Sequence, residues 1–124
     1  MMSHRVISND GLKSVPGGCA IAIRIPWYRS LPLSTFELME IEIDGEQVDL
    51  ANVTFSIEGE VLSLDDLAHR TEMWFVLDDA YLNVAGTAIE RGKHYDVAVK
   101  LACFPPYIKG YKRITRTQKR LMAR

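Results

Sequence analysis

Three histidines, two pairs of adjacent carboxylates and two cysteines are the side chains here with the greatest capacity for catalysis. His4, His69 and His94 stand far apart: in the N-terminal segment, after a turn and at a strand entrance. A general base needs a partner that orients it and a cleft that holds substrate, and none of the three has either nearby in sequence. Asp65-Asp66 and Asp78-Asp79 resemble acid/base couples, but both fall where the chain must turn, the ordinary place for solvated acids. Cys19 and Cys103 have no histidine or second cysteine at metal-ligand spacing. GxSxG, HExxH and phosphate-cradling glycine loops are absent. The expectation is a chain with no catalytic residue and no metal ligand of its own.

Its adhesive side chains are concentrated instead. "IPWYRSLPLS" (25–34) sets Trp27, Tyr28, Arg29 and Leu31 in a loop stiffened by Pro26 and Pro32. Trp, Tyr and Arg are the residues most enriched at binding hot spots, and a stiff loop loses little entropy on docking. "CFPPYIKGYKR" (103–113) repeats the theme with Phe104, Tyr107 and Tyr111 around a Pro-Pro bend. Two readings stand open for the first loop. Trp27 or Tyr28 folds back to cap the core, or the loop faces another protein. If the strands that carry the loops are neighbours, both loops belong to one surface.

The elements that must hold these loops are strands. Cys19, Ile21, Ile23 and Ile25 alternate with Ala20, Ala22 and Arg24; Met39, Ile41 and Ile43 with Glu40 and Glu42. Val53, Phe55 and Ile57 alternate with Thr54 and Ser56, and Tyr95 through Cys103 does the same. Period two with one apolar face is the pattern of an antiparallel sheet wet on one side. Asp44-Gly45 signals a tight hairpin, Gly59-Glu60 a second turn, and Gly86 and Gly92 bracket a third. "MWFVL" (73–77), apolar on both faces, reads as a central strand covered on each side. One helical turn is expected near 64–70, with Ser63 as a cap. The fold class predicted is all-β, an immunoglobulin-like antiparallel β-sandwich with at most one short helical turn.

At 124 residues, 48% apolar and 25% charged, the chain suits one globular domain. Its expected parts are an N-terminal arm over 1–10, the sandwich over 11–108 and a basic C-terminal strand or arm over 109–124. A net charge of −1 gives no field for nucleic acid or membrane, and neither is expected as a partner. No secretory signal is legible in "MMSHRVISNDGLKS", so the expected location is the cytoplasm, with Cys19 and Cys103 buried as thiols. The segment 109–124 holds seven basic residues and no acidic one. It reads as an arm lying on an acidic partner, with a solvated end and a nucleic-acid grip as the other readings.

With these pieces in place the chain resembles the small (beta) subunit of bacterial C-glycoside deglycosidases. "IRIPWYRSLPLS" is the most specific stretch; "EIEIDGEQV", "VTFSIEGEVLSLDDL", "EMWFVLDDAYLNV" and "GKHYDVAVKLACFPPY" follow in order, so the likeness spans about residues 8–115. The resemblance implies a β-sandwich paired with a TIM-barrel alpha subunit of sugar isomerase/epimerase type. That alpha subunit would carry a histidine base and a divalent metal, typically Mn2+; no cofactor is implied for this chain. Together the subunits would cleave the carbon–carbon bond between a 3-oxo sugar and a flavone, isoflavone or anthraquinone aglycone. The 3-oxo group acidifies the neighbouring C2–H, a metal-polarised ketone more so, and loss of that proton lets the C1–aglycone bond break by elimination. The resemblance would make Trp27, Tyr28, Arg29, Leu31, Phe104, Tyr107 and Tyr111 contacts to the alpha subunit. The rival reading is a stand-alone carbohydrate-binding sandwich, with Trp27, Tyr28 and Trp74 stacking on sugar rings.

Overall fold

The computed structural model describes residues 6–124. Along them run β1 (Ile7–Val15), β2 (Gly18–Ile23), β3 (Leu31–Pro32), β4 (Phe36–Ile43), β5 (Glu46–Gln47) and β6 (Val53–Ile57). They are followed by β7 (Glu60–Ser63), β8 (Met73–Trp74), β9 (Ala80–Ala85), β10 (His94–Cys103) and β11 (Arg113–Met122). One sheet has the order β1-β2-β9-β6-β7 and the other β11-β10-β4-β5, while β3 and β8 form a two-residue pair beside them. Every pairing is antiparallel. The chain folds as the all-β sandwich its alternation predicts. Among the described residues no helix is long and apolar enough to cross a membrane.

Two tight turns set the hairpins. Asp44 and Gly45 take φ of 52° and 81° and join β4 to β5; Glu58 and Gly59 take 50° and 81° and join β6 to β7. Both fit the right-handed twist of the strands they connect. The second corner is one residue earlier than Gly59-Glu60. Helical structure among the described residues is three 3-10 turns, at Leu33–Thr35, Leu50–Asn52 and Asp65–His69. Ser63 Oγ accepts from the Asp66 amide at 3.2 Å, so the expected cap is made at the last of these.

The core lies between the sheets, built from Val53, Phe55 and Ile57 of β6, Leu82 and Val84 of β9, and Val97, Val99 and Leu101 of β10. Trp74 is fully buried within it. Its ring meets Phe36 of β4 edge-on with centroids 4.9 Å apart, and Phe55 of β6 at 5.5 Å, one ring from each sheet. Its indole N–H donates to the Asp78 carbonyl at 3.0 Å, and the Asp78 amide donates to the Phe75 carbonyl at 2.9 Å. These bonds fold the chain back immediately after Trp74. Residues 73–77 are therefore no central strand: β8 stops after two residues, and Phe75 and Leu77 stand in solvent. Met39 is displaced too. Leu38 faces Leu101 and Glu40 faces Lys100, so Met39 is the extra residue of a β-bulge, and Leu38 takes the inward place.

From Ile7 the N-terminal arm, and from Arg113 the C-terminal segment, are strands of the sandwich. β1 starts at Ile7, so a boundary at residue 10 cuts a strand; residues 1–5, with His4, lie outside the described residues. β11 is no appended arm. All ten of its residues pair with β10, from His94↔Met122 to Cys103↔Arg113. Arg116 and Arg120 of β11, and Arg124 just beyond it, meet acids of the chain itself: Glu42 at 2.8 Å, Asp96 at 3.4 Å and Asp10 at 2.7 Å. Lys119 Nζ donates to the Ile7 carbonyl at 2.7 Å, and the backbone of Arg124 bonds Ser14 and Leu12. β11 thus fastens one sheet to the other along β1.

Cys19 and Cys103 are buried and unbonded to one another. Burial pushes each thiol up to about 11, with Arg113 partly offsetting the rise at Cys103.

Candidate docking site at the aromatic end

β4 begins, β10 ends and β11 begins at one end of their sheet, because Cys103 pairs with both Phe36 and Arg113, and contact between Trp27 and Tyr107 brings the segment after β2 to that same end. Pro26 carries no N–H to extend the β2 ladder, and Pro105-Pro106 does the same beyond β10. Both segments leave their sheets as loops and fold against each other. The Trp27 indole N–H donates to the Tyr107 hydroxyl at 2.7 Å, and the hydroxyls of Tyr107 and Tyr28 lie 3.0 Å apart. The Trp27 ring lies 5.1 Å from Tyr28 and 6.2 Å from Tyr111. Cations cover the rings: Arg29 lies 5.1 Å from the Tyr107 centroid, Lys112 5.4 Å from Phe104, and Arg113 6.0 Å from Trp27. The bond to Tyr107 raises the pKa of the Tyr28 phenol above its ordinary value. The two aromatic loops form one surface.

The seven predicted contact residues divide into two groups. Trp27 is 8% exposed and Leu31 3%, the latter paired with Trp74 across β3 and β8. Both are spent inside the chain and serve as the floor of the site, so the capping reading holds for Trp27. Tyr28, at 63% exposure, is displayed in full, and Arg29, Phe104, Tyr107 and Tyr111 are exposed beside it. The sugar platform of Trp27, Tyr28 and Trp74 does not form, since Trp74 has no exposed face.

Sequence reasoning missed Met73, Phe75, Leu77 and Ile108, which are exposed at the same end. No sequence signal separates a doubly covered strand from an apolar turn of equal length, so Phe75 and Leu77 were not recoverable. Elsewhere His69 and His94 are exposed, and Asp79 is held by Ser8 Oγ at 3.1 Å and Arg24 Nε at 3.0 Å. Among the described residues no three His, Cys, Asp or Glu side chains are grouped to hold a metal ion. An open concavity of ≈1070 Å³ lies on the outer face of the five-stranded sheet, over Ala20, Ala22, Arg24, Tyr81 and Asn83. Its Arg24, Asp79, Lys119 and Arg124 side chains are already bonded within the chain.

A family model for the C-glycoside deglycosidase beta subunit matches residues 1–107, which include β1 to β10 and the aromatic loops as far as Tyr107. The chain belongs to this family. Among its relatives, a 3'-dehydrocarminate deglycosidase beta subunit of Microbacterium sp is 37% identical over 109 residues, covering 87% of this chain and 82% of that protein. A C-glycoside deglycosidase beta subunit of Microbacterium trichothecenolyticum is 31% identical over the same shares of each chain. One from Arthrobacter globiformis is 30% identical over 87% of this chain and 83% of its own. Proteins of the C-glycoside deglycosidase beta subunit family are thus parts of a multi-subunit enzyme. The family match stops within the second aromatic loop, leaving β11 and its cations beyond it.

Proposed function

We propose that this chain is the non-catalytic beta subunit of a carbon–carbon lyase that releases aromatic aglycones from 3-oxo C-glucosides. Its aromatic end docks onto an alpha subunit with a TIM barrel that carries the chemistry. The reading is supported by one pairing of facts: a chain of the beta subunit family displays Tyr28, Tyr107 and Tyr111 together in water. Rings held in place by mutual hydrogen bonds lose little entropy when a second surface covers them.

The reaction needs a base for C2–H, a polarised 3-oxo group and an aglycone able to leave with the C1 bonding pair. The resemblance assigns the base and a divalent metal, Mn2+, to the alpha subunit. This chain's part is positional: it braces the partner with a stiff β-sandwich and excludes water from the surface it covers. On this reading the partner is a protein, and Arg116, Arg120 and Arg124 serve the chain's own fold by meeting Glu42, Asp96 and Asp10. The unbonded Cys19 and Cys103 suit a reducing cytoplasm.

Reconstitution tests this. The purified chain should release no aglycone from a 3-oxo C-glucoside, and its complex with the alpha subunit should turn over and stop on chelation. Turnover by this chain alone would place the active site here and end the reading.

A further inference from the structure

The apolar end extends past the two aromatic loops. β3 pairs with β8, and Ser30 Oγ accepts from the Val76 amide at 2.8 Å, so the turn after β8 is fixed directly beside the first aromatic loop. Of the twelve large hydrophobic side chains exposed among the described residues, eight stand at this end. Leu77, at 67%, is the most exposed of all twelve. A turn held by two sets of hydrogen bonds does not display such side chains because it is loose. Contiguous apolar surface of this kind marks a contact with another protein.

The charge around it lies on one side. Arg29, Lys112 and Arg113 lie against the rings of the aromatic loops, and Lys109 belongs to the second loop. Among the described residues the only carboxylate within ion-pair distance of them is Glu37, 3.7 Å from Lys112 Nζ. Arg113 Nε is buried and has no hydrogen-bond acceptor among the described residues. The turn after β8 carries no cation over residues 73–79 and ends in Asp78-Asp79, and the cation beside it, Arg24, is already paired with Asp79 at 3.0 Å.

Resting on the docking reading above, we propose that the surface covering this end is an apolar depression bordered by carboxylates on one side. Phe75 and Leu77 enter the depression beside Tyr28, and the carboxylates meet Arg29, Lys112 and Arg113. The occupant is the catalytic subunit. Cations on one side only allow one orientation of docking, because reversing it sets charges against apolar surface.

The test is the affinity of the assembled pair, with melting temperature measured for each variant. Phe75→Ser and Leu77→Ser should each weaken association by about tenfold or more with little change in melting. Val61→Ser, on an equally exposed β7 side chain away from this end, should leave affinity unchanged. Arg29→Glu and Lys112→Glu should slow association, and the wild-type rate should fall as salt is added. Normal affinity in Phe75→Ser and Leu77→Ser, with a loss in Tyr28→Ala, would overturn this inference and leave the docking reading standing. Normal affinity in all three would end both. Association indifferent to salt and to Arg29→Glu would remove the carboxylate border. A chain that sediments alone as a dimer dispersed by Leu77→Ser would make a second copy the occupant and overturn the proposal.

Discussion

The indole N–H of Trp27 donates to the hydroxyl of Tyr107, 2.7 Å away across 80 residues of sequence. This bond decides what the first aromatic loop can do. It satisfies the one polar atom of a buried ring and holds Tyr107 where its hydroxyl also reaches Tyr28. The exposed tyrosines are therefore positioned before any partner arrives.

Tyr107→Phe keeps the ring and deletes the acceptor. It should destabilise the isolated chain by about 0.5–1.5 kcal/mol, the net worth of a hydrogen bond at a part-buried site that water can reach. Trp27→Ala should cost more, about 3–5 kcal/mol, as buried aromatics do on truncation. Denaturant melts of both variants check this; a Trp27→Ala chain as stable as wild type would show that the ring is not part of the core.

The two thiols give a pH prediction. Each is raised by burial from 9.0 to about 11, so the folded chain holds these protons where the unfolded chain releases them. Their contribution to stability is complete below pH 9 and falls as pH rises towards 11. Thiol reagents should find neither Cys19 nor Cys103 until the chain unfolds. Rapid labelling of the native protein at neutral pH would contradict their burial.

β11 separates an integral strand from an arm. Ending the chain at Lys112 strips β10 of a ten-residue partner and uncovers the sites of Thr115, Thr117 and Leu121. That truncation should abolish folding, read as loss of the strand signal in circular dichroism. Arg116→Ala, which removes the surface contacts with Glu42 and Gln118, should cost less than about 1 kcal/mol.

Gly18 tests the packing between strands. A Cβ there would lie 1.9 Å from the Val84 carbonyl oxygen. The neighbouring backbone cannot yield without breaking the β2–β9 ladder, so Gly18→Ala should cost about 3 kcal/mol or more. A Gly18→Ala variant that melts like wild type would show that this backbone yields.

How much of this was legible in sequence depends on whether the signal was local. The alternation of Val53, Phe55 and Ile57 named a strand and its inward face, and Asp44-Gly45 named a turn, because both are set by neighbouring residues. The meeting of the two aromatic loops was expected only if their strands were neighbours. β2 and β10 lie in different sheets, and the loops meet through the Trp27–Tyr107 bond. Trp27 was not separable from Tyr28. One is buried and the other exposed through a bond made 80 residues away. Met39 and the run after Trp74 were misread for the same reason. A bulge and a fold-back are settled by the partner strand and by the Asp78 carbonyl, and neither alters the local pattern. The basic segment was read correctly as extended, but its acids were sought outside the chain when Glu42, Asp96 and Asp10 lay within it.

The most direct test of the central claim is the dissociation constant of the pair formed by Tyr28→Ala and the wild-type alpha subunit, taken with the variant's melting temperature. Tyr28 contributes little to its own chain's core, being 63% exposed, and on this account it is an anchor to the partner. The expected result is affinity lower by about 2 kcal/mol, roughly thirtyfold, with melting unchanged. Wild-type affinity in a normally folded Tyr28→Ala chain would contradict docking through the aromatic end.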